Sequence, residues 1–252
     1  MPLRGVFFDL YGTLLTYGDM RVAWDAWLAV LHFGLERQGL TIPCPAFAMR
    51  CDRFFERAEP PDRADGGTPL DRRLRVLCDD LGLCPEAAVL RDIGEAAAEA
   101  WQRHVTLDPE AGPLLRTLRG RYAVALVSNF DHPPHVRRVL SRYALAEAFD
   151  AIVVSAEVGA KKPDPRIFQV ALERTGLRAE EVVHVGDTDE DAQGASRAGI
   201  RPILIRRNGE NAPEPPFDFH AEHVAGPRSA ASRIDGVPVI SALAELPAIL
   251  GV

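Results

Sequence analysis

The chain has 252 residues, 47% apolar and 26% charged, a composition suited to one large globular domain or a core with a smaller insert. Its formal charge of −7 gives no electrostatic reason to bind nucleic acid or an anionic membrane, and no apolar run is long enough to span a bilayer. Cys44, Cys51, Cys78 and Cys84 fall in one stretch without Cys-x-x-Cys spacing, so buried reduced thiols in a cytoplasmic protein are expected over disulfides or a zinc site.

The sequence runs directly into "VFFDLYGTLL" (6–15), so no signal peptide is expected, and this stretch reads as a buried strand, Val6–Leu10, with Asp9 at its end. Residues 18–104 then carry no convincing strand. Val22, Trp27, Leu28, Leu31 and Leu35 stand near helical spacing, and segments 45–58, 70–82 and 86–103 also read as helices, with a Pro/Gly-rich break at 58–69. Trp24 and Trp27 are expected in the core of this helical region. Beyond it, strands alternate with helices: 109–120 helical, Ala123–Val127 strand, 132–145 helical, Ile152–Val154 strand, 164–177 helical, then strands Val182–Val185 and Pro202–Ile205. Gly120, Gly176 and Gly199 stand where helix C-terminal caps would. His132 and His135 in "DHPPH" read as surface residues of a helix start, since no third metal ligand accompanies them. Residues 208–233 read as a long loop, and "VPVI" and "SALAELPAIL" as a last strand and helix.

Alternation of this kind implies βαβ units and a parallel sheet, whose ligands gather at the carboxyl ends of the strands. Four such ends carry polar groups: Asp9; Ser128 with Asn129; Lys162 in "GAKKPDP"; and Asp187 with Asp191 in "VGDTDEDAQGA". Carboxylates, a hydroxyl and an ammonium meeting in one crevice suit a divalent cation and a phosphate together, with hard oxygen ligands favouring Mg2+. Gly12 and Thr13 offer backbone N–H groups in the turn after Asp9.

The motifs "FFDLYGTLL", "LVSNFD", "GAKKPDPRIF" and "VVHVGDTDEDA", in this order and each after a strand, resemble those of the haloacid dehalogenase superfamily over nearly the whole chain. The resemblance implies an α/β fold: a Rossmann-like, doubly wound parallel-sheet core (1–17 and 105–252) with an inserted helical cap (18–104), as in the subfamily IA enzymes. It implies Asp9 as the nucleophile of an aspartyl intermediate, with Ser128 and Lys162 binding the transferring group and Asn129 beside them. It further implies Mg2+ held by Asp187, Asp9 and the main-chain carbonyl of Tyr11, with Asp191 supporting the metal from a second shell.

One position departs from the phosphatase pattern. Phosphatases of the superfamily carry a second aspartate two residues after the nucleophile, where this chain has Tyr11. A phenol with a pKa near ~10 is a poor base at neutral pH, and losing a general acid–base group costs ~10²–10⁴ in rate. D-x-Y-G-T also resembles the superfamily's 2-haloacid dehalogenases, in which halide leaves without a proton. Gly186-Asp187 keeps the phosphatase form, because dehalogenases replace that acid. The expected function is a Mg2+-dependent phosphatase or phosphotransferase acting on a small phosphorylated metabolite. The alternatives are a metal-free C–halogen hydrolase and a binding or regulatory protein that kept the fold; substrate and oligomeric state are left open.

Overall fold

The computed structural model describes residues 2–62, 66–207 and 236–251; the stretch 208–233 expected as a loop lies outside them. The described chain divides into two compact units, one made of residues 2–17, 106–207 and 236–251 and the other of residues 18–62 and 66–105. Strand β1 (Gly5–Phe8) opens the first unit, followed by the short β2 (Leu15–Tyr17). The second unit holds four helices: α1 (Met20–Glu36), α2 (Cys44–Arg50), α3 (Pro69–Asp80) and α4 (Ala87–Gln102). The chain returns through β3 (Val105–Leu107), which pairs with β2 in a two-stranded sheet.

The first unit then continues through α5 (Ala111–Leu118), β4 (Ala123–Ser128), α6 (Pro133–Arg142), β5 (Ala151–Val154), α7 (Ser155–Val158) and α8 (Arg166–Thr175). It ends with β6 (Val182–Gly186), α9 (Asp189–Arg197), β7 (Arg201–Ile205), β8 (Val239–Ile240) and α10 (Leu246–Leu250). Six strands form one sheet in the order β5-β4-β1-β6-β7-β8, every pair parallel. This is the Rossmann-like, doubly wound arrangement, an α/β sheet flanked by helices. The sheet grows outward from β1 in both directions, so β1 borders the switch point at which such sheets bind ligands. Phe8 is level with Leu126 on one side and Val185 on the other.

Continuous apolar runs form these strands because both faces are covered. Phe7, Val127 and Val153 from the sheet pack with Ile167, Phe168 and Ala171 of α8 and Ala195 of α9 in one buried cluster. At roughly 1.5–3 kcal/mol per fully buried large apolar side chain, this layer is what holds the strand tips in register. Gly176, with φ 67°, ends α8 in the left-handed conformation that a side chain resists.

In the helical unit, Asp19 caps α1, its Oδ1 accepting from the N–H of Arg21 (2.9 Å) and of Val22 (3.2 Å). Trp24 stacks on Trp27 at 4.7 Å, and Phe54 and Phe55 complete the cluster. Three expectations are corrected. Val22 faces solvent, 47% exposed, because it lies about 140–180° round the helix from Trp27, Leu31 and Leu35. Of the free thiols only Cys51 and Cys78 are buried, which pushes them up to about 12 and about 11, while Cys84 is exposed. His132 and His135 are buried, not superficial, and His135 stacks on Phe130 with ring centroids 5.8 Å apart.

Candidate active site

Asp9 follows the last residue of β1 and its N–H donates to Val185 O (2.9 Å), which ties the acid to the neighbouring tip of β6. Asp187 lies just past β6, Ser128 ends β4, Lys162 stands in the turn between α7 and α8, and Asp191 sits in the first turn of α9. The fold brings these residues together: one carboxylate oxygen from each of Asp9, Asp187 and Asp191 lies within 4.8 Å of the others.

Lys162 is the counterion. Its ammonium, 4% exposed as a residue, donates to Asp9 Oδ1 (2.5 Å), Asp191 Oδ1 (2.7 Å) and Val127 O (3.1 Å). All three hydrogens are thereby engaged, so a ligand anion gains the ammonium only by displacing one of these acceptors. Asp191 is fully engaged as well. Its Oδ1 also accepts from His184 Nε2 (2.8 Å), and its Oδ2 accepts from the Thr188 N–H (3.1 Å) and hydroxyl (2.6 Å). Thr188 and Asp191 together make the capping box that starts α9. With its acceptor sites filled, Asp191 orients Lys162 and the helix start.

The electrostatics follow from burial. Burial raises the Asp9 carboxyl above its ordinary range against the opposing pull of Lys162. Burial, then the negative charges of Asp9 and Asp191, push Asp187 well above the carboxylate range. Burial acts on Asp191 in the same sense, but Lys162 and His184 outweigh it and hold this acid well below the usual value. Asp9 and Asp191 draw on the same ammonium; Asp191, with extra donors from His184 and Thr188, keeps the negative charge. Burial keeps the His184 imidazole below its ordinary range, so the neutral ring donates from Nε2.

Four buried side-chain atoms have no hydrogen-bond partner among the described residues: Asp187 Oδ1, Ser128 Oγ, Thr13 Oγ1 and His184 Nδ1. Gly12 makes room for the first of these groups. A β-carbon there would lie 2.1 Å from Asp187 Oδ2, and φ is 89°. Likewise, a β-carbon on Gly186 would lie 2.2 Å from Asp191 Cγ. Hard carboxylate oxygens, one left without a hydrogen bond in a pocket with more acids than cations, fit a divalent cation.

Asn129, expected beside Ser128 and Lys162 among the phosphate-binding residues, is held on the Lys162 backbone. Its Oδ1 accepts from the Lys162 N–H (2.8 Å), while Nδ2 donates to Lys162 O (3.1 Å) and Glu190 Oε2 (3.3 Å). Both amide hydrogens are therefore engaged in holding the Lys162 backbone. Tyr11 is 7% exposed, its ring stacked on Phe130 at 4.9 Å and 19°. Sequence reasoning missed His184, Thr188 and Tyr17. The polar His184 in the otherwise apolar "VVHVG" run was one available signal, and the Thr-x-x-Asp spacing of Thr188 and Asp191 was another. Tyr17 is raised well above the usual phenol range by burial and then by the charges of Asp187 and Asp9.

Residues 3–199 match the sequence profile of the haloacid dehalogenase-like hydrolases. The chain belongs to this family. Among curated relatives of this haloacid dehalogenase-like hydrolase, a phosphoserine phosphatase of Thermus thermophilus is 37% identical over 139 residues, 54% of each protein. The chain thus spans about half the length of that relative. An (S)-2-haloacid dehalogenase of Pseudomonas putida is 25% identical over 214 residues, 82% of this chain and 88% of that protein. A phosphatase structure from Thermococcus onnurineus shares the fold at a TM-score of 0.65 and 24% identity, covering 99% of this chain and 98% of the other.

Proposed function

We propose that this hydrolase is a Mg2+-dependent phosphatase acting on a small phosphorylated metabolite, with Asp9 attacking phosphorus to form an aspartyl phosphate. The observation that carries the reading is Asp187. Its half-buried carboxylate, with Oδ1 enclosed and without a hydrogen bond among the described residues, stands within 4.8 Å of two more acids and leaves one lysine to balance three carboxyls. A C–halogen hydrolase with no use for a cation has no use for that acid.

Asp9, Asp187 and the carbonyl of Tyr11 would hold the metal, with Asp191 acting through Lys162 and Thr188. Bound there, Mg2+ supplies positive charge to the phosphoryl oxygens. Lys162 pulls Asp9 toward its ionised form against burial, and a cation bound beside it would complete that ionisation for attack. Lys162 also screens the incoming phosphate, and the unpartnered Ser128 and Thr13 hydroxyls bind its oxygens. Thr13 lends a backbone N–H; that of Gly12, expected to do the same, instead donates to Leu15 O (2.7 Å) and closes the turn. The helical unit serves as the cap. Tyr11, stacked on Phe130, puts a phenol, a poor base at neutral pH, where a carboxyl would serve as acid and base. The favoured substrates are therefore esters whose leaving groups depart as stable anions.

The test is phosphate release from p-nitrophenyl phosphate with Mg2+. It should stop with EDTA and vanish in Asp9→Asn. Tyr11 and the match to a haloacid dehalogenase over 82% of the chain favour a second reading, hydrolysis of a C–halogen bond. Chloride release from 2-chloropropionate in EDTA, without phosphate release from the aryl ester, would establish that reading and overturn the first.

A further inference from the structure

Two adjacent arginines at the end of β7, neither implicated by any motif, reach the two loops that carry the acids. In extended backbone successive side chains point to opposite sides. The Arg206 N–H donates to Ile240 O (2.8 Å), continuing the pairing of β7 with β8. Arg206 Nη2 donates to Asp189 Oδ1 (2.9 Å), two residues beyond Asp187. Arg207 turns the other way. Its Nη1 donates to Gly12 O, and its Nη2 to Thr13 O (2.6 Å) and to Asp108 Oδ2 (2.7 Å).

Asp108 is itself fixed. It is 6% exposed, its N–H donates to Leu14 O (3.0 Å), and its Oδ1 accepts from the Glu110 N–H (2.8 Å). The guanidinium therefore bridges two consecutive carbonyls of the nucleophile turn and a rigid buried acid, with its own side chain 19% exposed.

The geometry points to Arg207 as a positioning residue that fixes the Gly12–Thr13 turn against Asp187. Gly12 lies between them: its carbonyl is held by Arg207, and the space of its absent β-carbon is filled by Asp187 Oδ2. In a planar trans peptide the N–H of Thr13 runs opposite to the carbonyl of Gly12. Holding that carbonyl turns the Thr13 N–H away from the guanidinium and sets the plane of the turn. A loosened turn moves Gly12 relative to Asp187 and to Asp9 three residues earlier. Arg206 steadies the other loop through Asp189.

The kinetic part of this inference rests on the phosphatase reading; the part concerning the turn does not. The experiment uses the full chain with Mg2+ and p-nitrophenyl phosphate, comparing Arg207→Met and Arg207→Lys with the parent, alongside amide hydrogen exchange over residues 10–17. Arg207→Met should lower kcat by about 10²-fold, the scale of a reacting group displaced by about 1 Å. KM should stay within about threefold, because substrate contacts remain. Exchange over 10–17 should quicken by about tenfold, with β4 unchanged. Lysine restores charge opposite Asp108 but has no fork to span two carbonyls, so Arg207→Lys should recover stability and not kcat. It also decides the matter if the methionine variant does not fold. Parent-like exchange over 10–17 in a folded variant, or full recovery of kcat by lysine, would overturn the proposal. If the parent releases no phosphate, the phosphatase reading falls and the exchange data alone decide the role of Arg207.

Discussion

Replacing Lys162 by methionine removes the ammonium shared by Asp9 and Asp191 while roughly keeping its length. Both ion pairs are buried, with side-chain exposures of 3% for the lysine, 8% for Asp9 and 1% for Asp191. Breaking such a pair strands a carboxylate and costs about 3–5 kcal/mol, a large part of the ~5–15 kcal/mol that holds a domain folded. The pH dependence separates this from a packing defect. In the parent, Asp191 lies below its unfolded value, so its contribution is intact above about pH 4 and is lost only as pH falls further.

Asp9 and Asp187 are raised, so in both proteins their contribution falls as pH rises from about 4 through their folded values. In the variant Asp191 joins them. The folded state then binds an extra proton, and the deficit should narrow on acidification by up to about 1.4 kcal/mol per pH unit. Urea unfolding in EDTA at pH 8 and pH 5.5 measures it. A deficit below about 1 kcal/mol at pH 8, or one that widens at pH 5.5, would refute the charge reasoning.

Asp187→Asn removes one of the crowded acids. In EDTA it should stabilise the fold by about 1 kcal/mol, and the rise in melting temperature that Mg2+ gives the parent should disappear. An unchanged Mg2+ response would put the metal elsewhere. Tyr11→Asp places a carboxyl two residues past Asp9 and, on the phosphatase proposal, should raise kcat on an alkyl phosphate by about 10²–10⁴, leaving aryl phosphate turnover little changed. The loss of stacking on Phe130 should lower stability by about 0.5–1.5 kcal/mol. A folded variant without the gain would show that proton transfer is not what limits the parent.

The parallel sheet was legible because strands covered on both faces read as unbroken apolar runs: "VFF", "VALV" and "VVHV" name β1, β4 and β6 almost residue for residue. The pair β2–β3 was not, since "LTY" and "VTL" are three residues each and carry no period. The acids, Ser128 and Lys162 could be named because each lies at the carboxyl end of a strand or in the segment leading from one into the next helix, and so shares one edge of the sheet. What each polar atom does there was hidden. Asn129 stands beside Ser128 in the chain, yet its amide is fixed on the Lys162 backbone, 33 residues away. Arg207 meets Thr13 across 194 residues with no spacing to announce it. Val22 and Cys84 were misjudged for the opposite reason: helical periodicity gives a stripe, and the exposure of residues off it depends on neighbours the pattern does not contain.

Asp191 is at once the acid that caps the start of a helix and the anchor of the lysine beside Asp9. Two traits that natural selection could otherwise adjust separately are welded into one codon. Substituting it unravels the first turn of α9 and unseats Lys162 in the same stroke. Asp187, which among the described residues accepts no hydrogen bond at Oδ1 and caps no helix, can be replaced without disturbing that lysine, whereas position 191 cannot.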